Sequence, residues 1–284
     1  MNIDCEEKYN SKLIYEIEKY KPKLIINSVC PKFINELAAF YEKNKILNFW
    51  VGISREVSNE NNLKYFFRIS PKESNQSRII IKFISEKYKN KNIALIHEEN
   101  QKLNSSLKQY KNLIKRHNLN LKFIKYINDS KEDFKDIILK TKEDKIELFI
   151  VNFKSEFILE ILEEINKLNL KLIIIANDEI ANPKFSMLIK SLNNLQIYYS
   201  FSDYYDRNYI NAERYLSSSY VTDSFHPYKD YTYILLEILD QALQINTNQN
   251  LEDYLKQNSF NTIYGNLSFI KSSISYEGYK LLNF

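Results

Sequence analysis

Five short segments place small polar or charged side chains directly after an apolar run and before an amphipathic one: Ser28–Pro31, Gly52–Ser54, His97–Asn100, Asn152–Ser155 and Asn177–Glu179. Such a junction ends a strand and opens a helix, whose free N–H groups can hold a carboxylate. Asp178, in the run IIIANDE, suits an ammonium group instead. Taken singly, each junction is an ordinary strand-to-helix loop with capping residues. A binding site follows only from their sharing one rim, the carboxyl ends of parallel strands.

Catalytic chemistry is poorly supplied. His97, His117 and His226 are scattered, and neither Cys5 nor Cys30 completes a metal-ligand spacing with them. His97 follows the strand IALI, at the end where α/β sites gather; the plainer reading is a polar loop residue. Cys30 precedes a helix N-terminus, which lowers a thiol pKa. Without a histidine nearby in sequence, a small buried thiol is the simpler reading of Cys30. No nucleophile elbow, phosphate loop or dinucleotide fingerprint occurs. The expectation is therefore no enzyme, no cofactor and no metal. Two cysteines also give no disulfide framework.

The elements that must position these loops follow from composition and periodicity. The 284 residues are 44% hydrophobic and 14% aromatic, enough for two sheet-based cores. A net charge of +4 without a basic stripe argues against a nucleic-acid partner. The stretch Lys108 to Lys125, with Lys111, Lys115 and Arg116, is interrupted by apolar residues at helical spacing and reads as a solvated helix face. With only 3 glycines, asparagine and lysine are expected to occupy turn positions that glycine would otherwise hold. No window reaches the ~20 apolar residues that span a bilayer. Residues 1–10 are polar and lack the apolar core of a signal peptide.

Apolar runs predict strands at Lys23–Ile26, Ile46–Val51, Tyr65–Ile69, Ile93–Ile96, Leu121–Tyr126, Leu148–Val151, Leu172–Ile175 and Ile197–Phe201. Amphipathic stripes between them predict helices: Phe33 to Tyr41, Ile80 to Tyr88 with Ser74 as its cap, Leu103 to Ile114, Phe134 to Ile138 after Ser130, and Phe157 to Leu168. Asn182-Pro183 has the form of a cap followed by proline at the first helical position. Single helices between strands imply parallel pairing through right-handed crossovers. After residue 205 the alternation stops; helices at Lys229–Ile245 and Leu251–Lys256 precede short strands within Thr262–Ile270 and Tyr279–Phe284. The fold class is α/β, with short apolar strands and amphipathic helices building two open sheet lobes.

The order of these pieces resembles the type I periplasmic binding proteins, and most closely the branched-chain amino-acid (Leu/Ile/Val) receptors of ABC transporters. KPKLIINSVC, then a helix and ILNFWVGIS, is similar to the ligand loops of the family's first lobe. Phe67, Arg68, Pro71 and Gln76 stand as in its F-R-x-x-P-x-x-x-x-Q segment. KNKNIALIHEEN resembles the first strand of the second lobe, and Asp133-Phe134 a helix start. Phe260, Thr262, Gly265, Leu267 and Phe269 follow the F-x-T-x-x-G-x-(I/L)-x-F hairpin. Asn2 to Ile14 resembles the second strand and helix start, so the opening strand, first helix and signal peptide have no counterpart. That opening strand would be central in a sheet ordered 2-1-3-4-5.

The resemblance implies two Rossmann-like lobes with mainly parallel sheets joined by a multi-strand hinge. The expected lobes are residues 1–90 with 226–272, and 91–225 with 273–284. It implies a ligand in the interlobe cleft, trapped by lobe closure, a membrane permease as partner, and a periplasmic location. Ser54 matches a hydroxyl on the ligand's α-carboxylate, and Gly52 a backbone contact beside it. Cys30 and Pro31 fall in the first ligand loop, with Pro31 where a serine is common. Asp178 matches the partner of the α-ammonium. Lys102, and Lys154 or Ser155, fall near aromatic positions of the second lobe, which points to a more acidic or polar solute than leucine. Two alternatives stand beside this reading: a related module that acts through a protein partner without binding a small molecule, and a doubly wound enzyme dependent on His97 or Cys30.

Overall fold

The computed structural model describes residues 9–27, 33–51, 57, 59–98, 104–127, 131–152, 155–177, 180, 189, 192, 194–202, 227–244, 250–262, 265–271, 273–275 and 279–283. The chain forms two compact units, residues 1–73 with 204–278, and residues 74–203 with 279–284. The sequence-based boundary at 90/91 lies at the far end of the helix that begins the second unit.

The first unit is built from helix α1 (Tyr9–Tyr20), strand β1 (Leu24–Asn27), α2 (Ile34–Lys43), β2 (Leu47–Trp50), a 3-10 turn (Glu60–Asn62) and β3 (Phe66–Arg68). Its remaining elements come from late in the chain. They are α7 (Pro227–Gln244), α8 (Leu251–Gln257), β9 (Ser259–Thr262), β10 (Gly265–Ile270) and β11 (Ser273–Ile274). The sheet order is β1-β2-β3-β11-β10-β9. Strands β1, β2, β3 and β11 are parallel, β10 runs antiparallel to β11, and β9 runs antiparallel to β10. Alternate side chains feed two cores. Trp50 and Phe66 face Leu37, Ala38 and Tyr41 of α2 and Ile17 of α1. Phe49 and Phe67 face Ile234, Leu235 and Ile238 of α7 and Leu255 of α8. The outer edge of β9 is blunted by one side chain: the Asn261 N–H donates to Gln241 Oε1 at 3.1 Å, and Gln241 Nε2 donates back to the Asn261 carbonyl at 2.6 Å. That two-point contact imitates a strand partner and covers the edge.

The second unit contains α3 (Glu73–Lys87, entered one residue before the division), β4 (Ile93–Glu98), α4 (Asn104–Arg116), β5 (Leu121–Ile127), α5 (Lys131–Glu143), β6 (Leu148–Asn152), α6 (Ser155–Lys167), β7 (Leu172–Ala176), β8 (Leu195–Ser202) and β12 (Tyr279–Asn283). Its order is β12-β8-β7-β6-β4-β5, all parallel except β12. Leu95, Ile150 and Ile175 pack on Ile80, Ile81 and Ile84 of α3 and Leu107, Tyr110 and Ile114 of α4. Phe149, Val151 and Ile174 pack on Ile137 of α5 and Ile161, Leu162 and Ile165 of α6. A sheet covered on both faces needs apolar residues at both parities, which is why these strands read as unbroken runs.

Three local expectations change. Ser74 lies inside α3 rather than capping it, and its carbonyl accepts from Gln109 Nε2 at 3.0 Å. The basic stretch from Lys108 is not one helix face, because α4 ends at Arg116 and Lys122 and Lys125 belong to β5. The lysines and arginine of α4 are exposed, as read. The predicted Asn182-Pro183 helix start and the Ser130 cap fall outside the described residues. The scarcity of glycine has a direct counterpart. Lys21, Lys45, Asn118, Lys145 and Asn169, each one or two residues beyond a helix, all have positive φ between 48° and 56°. Lysine and asparagine thus take the left-handed position that glycine usually fills at a helix end. No helix among the described residues is long and apolar enough to cross a membrane.

Candidate functional site

The parallel strands of the second unit are in register near their carboxyl ends, and this aligns polar residues from distant parts of the chain. His97 of β4 pairs with Asn152 of β6, Val151 with Ala176 of β7, and Ala176 with Tyr199 of β8. One step further along, Asn152, Asn177 and Ser200 continue the same lateral row on one face. It lies two residues beyond the Leu95–Ile150–Ile175–Tyr198 layer of the core. All four members are buried.

Burial obliges these groups to satisfy one another. Ser106, on the inward face of α4, is the link: Asn152 Nδ2 donates to its Oγ at 2.9 Å, and His97 Nε2 lies 3.4 Å from the same atom. Asn177 Nδ2 donates to Asn152 Oδ1 at 3.2 Å. One hydrogen-bonded chain therefore ties the first turn of α4 to the ends of three strands. Ser200, at the end of the row, keeps a buried Oγ with no hydrogen-bond partner among the described residues. His97 is not the loop residue expected; it lies within β4 with 0% exposure and faces the ring of Tyr126 on β5. Its strand continues to Glu98 because backbone pairing with β5 persists past the apolar run.

The first unit has a comparable row. Asn27 pairs with Trp50, Trp50 with Arg68, and Arg68 with Ser273. The Trp50 indole donates to Asn48 Oδ1 at 2.7 Å. Arg68 makes a two-point contact with Glu60, Nε to Oε1 at 3.0 Å and Nη2 to Oε2 at 2.9 Å. Ser273 Oγ donates to Oε1 at 2.7 Å, and Lys72 Nζ lies 3.4 Å from it. Burial alone raises the Glu60 pKa. The hydrogen bonds and charge of Arg68, helped by Ser273 and Lys72, outweigh that and hold it below the usual carboxylate value. Arg68 of the F-R-x-x-P segment is therefore consumed inside the unit, where it fastens β3, β11 and the 3-10 turn together.

Cys30, Pro31, Gly52, Ser54, Lys102, Lys154 and Asp178 lie outside the described residues, and Ser155 is described only as the first backbone position of α6. The strand ends that lead into their loops are described. Asn27 precedes Ser28–Pro31, Val51 precedes Gly52–Ser54, and Asn152 and Asn177 precede the loops of Lys154 and Asp178. Sequence reasoning missed Ser106, although a polar residue three positions after Leu103 and four before Tyr110 interrupts an apolar stripe and is a readable signal. It also missed Glu60 and Ser200, whose roles depend on partners far away in the chain. Among the described residues no group of histidine, cysteine, aspartate and glutamate is arranged to hold a metal ion.

Two doubly wound α/β units, three chain crossings between them and polar rims at the carboxyl ends of parallel strands define the type I periplasmic-binding-protein fold. The family model for the receptor family ligand binding region matches residues 1–284, and the chain belongs to that family. A sequence comparison with curated proteins finds no match. Solved structures share the fold. A branched-chain amino acid ABC transporter protein from Thermus thermophilus with bound valine superposes with a TM-score of 0.77 at 14% identity, over 99% of this chain and 80% of that one. The branched-chain amino acid transporter substrate binding protein of Streptococcus pneumoniae, in complex with isoleucine, gives 0.71 at 13% identity over 99% and 85%. A solute binding protein of R. palustris in complex with 4-hydroxybenzoate gives 0.75 at 11% identity over 99% and 80%.

Proposed function

We propose that this chain is the solute-binding receptor of an ABC transporter, holding an amino-acid-like or small polar ligand in the cleft between its lobes and trapping it by closure. It performs no chemistry, works outside the cytoplasmic membrane and delivers its ligand to a membrane permease. The carrying observation is the pair of polar, hydrogen-bonded rims at the strand ends, in a chain matched throughout by a ligand-binding family. Valine, isoleucine and 4-hydroxybenzoate, held by three structures of this fold, share a carboxylate. In this reading Ser54 and the Gly52 backbone receive that carboxylate, with Cys30 and Pro31 in the neighbouring loop. Asp178 receives an ammonium group. Lys102, Lys154 and Ser155 line the side of the second lobe and favour a polar or acidic side chain.

A thermal-shift screen against the common amino acids and simple aromatic carboxylates tests this. A ligand at 100 times its Kd should stabilise the protein by about 2.7 kcal/mol. Asp178→Ala should abolish the shift for ligands bearing an ammonium group. A cooperative melt that no compound moves would reject the receptor reading and turn attention to a protein partner.

A further inference from the structure

The amide of Asn27 has hydrogen-bonding capacity that the described residues do not use. The residue ends β1 and is 5% exposed. The Tyr41 hydroxyl donates to its Oδ1 at 3.4 Å. Nδ2 carries two N–H donors, and the described residues offer them no acceptor. A buried donor in that state is uncommon and costly, and a bound partner would account for its retention. Its neighbours in the row are already engaged, Trp50 by Asn48 and Arg68 by Glu60. Helix α2 follows β1 and so starts at this same end of the unit. Phe33 stands at its N-cap, and the Phe33 side chain makes no cap hydrogen bond. The positive end of a helix and a spare amide donor both favour an anionic oxygen. Oδ1 already accepts from Tyr41, so the unmet capacity of this amide is that of a donor.

We propose that Asn27 Nδ2 is a ligand-binding donor that takes a carboxylate oxygen of the solute. This rests on the receptor reading and adds a contact to it, from a strand end rather than from the loops that follow. Trp50, the single tryptophan, is paired with Asn27 across β1 and β2 and reports on the site by its fluorescence.

The experiment titrates the full chain with the twenty L-amino acids, benzoate and 4-hydroxybenzoate, each acid that binds being compared with its primary amide. Binding is read by Trp50 fluorescence and by calorimetry. Asn27→Asp keeps the oxygen that Tyr41 meets and replaces the donor with an anionic oxygen. Asn27→Leu removes the donor at similar size. Both should weaken the carboxylate at least about tenfold, the worth of one hydrogen bond to a charged group. The amides, bound more weakly by the wild type, should lose less. Asn27→Leu also takes away the oxygen that Tyr41 meets, so its ligand-free melting temperature is compared with that of Asn27→Asp, which keeps it. A lowered melting temperature with unchanged affinity would make Asn27 structural and overturn the proposal. Unchanged affinity in both variants overturns it while the receptor reading stands. A wild type that binds none of these acids overturns both. Should Asn27→Asp not fold, Asn27→Leu decides alone.

Discussion

Glu60 and Arg68 show how a charged pair can live in a core. Each is almost fully buried, and the carboxylate accepts from Arg68 twice and from Ser273 once. Removing one partner of such a pair leaves an uncompensated buried charge, at a cost of about 3–5 kcal/mol. Glu60→Gln should lose stability on that scale in urea melts at neutral pH. The sign of the pH dependence follows from the lowered carboxyl pKa. The pair's contribution is complete above the unfolded carboxyl pKa and disappears as pH falls through the lower folded value. The gap between wild type and Glu60→Gln should therefore narrow in acid, and a gap that widened would contradict this account. Nothing in the local sequence around Glu60 announces the role, because Arg68, Lys72 and Ser273 reach it only through the pairing of β3 with β11.

Helix ends are where this chain departs most from common usage. Five helices finish on a lysine or asparagine with positive φ. A left-handed non-glycine residue costs about 1–2 kcal/mol, while glycine costs about 0.4–1 kcal/mol more chain entropy in the unfolded state. Lys145→Gly, at φ 50° beyond α5, should therefore raise stability by a few tenths to about 1 kcal/mol in chemical denaturation. A loss would mean that the lysine side chain matters more than its backbone strain. Strands were legible because both faces are covered, but their ends were not. Reading strands by apolar character stops at Ile26, Ile96 and Val151, whereas backbone pairing runs on through Asn27, Glu98 and Asn152. The residues beyond the apolar runs are the ones that build the polar rims. Helix α4 carried its signal openly in Ser106, but the meaning of that serine needed Asn152, 46 residues away.

At the scale of the whole molecule, the receptor reading requires the two lobes to close on the ligand. A stabilising compound should lower the radius of gyration in small-angle scattering, and Asp178→Ala should prevent that change for an ammonium-bearing ligand. Stabilisation without compaction would keep the binding and discard the closure. The chain passes between its units three times, at 73/74, 203/204 and 278/279. Relative movement of the lobes would therefore be shared by three segments, as in hinge closure around a ligand.

The sequence by itself determined the α/β class, the alternation of strands and helices, the two-lobe division in kind and the family. Those properties rest on local periodicity and on the order of motifs, both of which survive at very low identity. Tertiary structure alone decided which polar residues share a rim. His97, Asn152, Asn177 and Ser200 lie far apart in the chain and become neighbours only through the register of four parallel strands. It also decided that Arg68 is spent on Glu60 while the Asn27 amide is left with donors to offer. Register is set by burial of whole sheet faces and by partners distant in the chain, so no local window of sequence contains it.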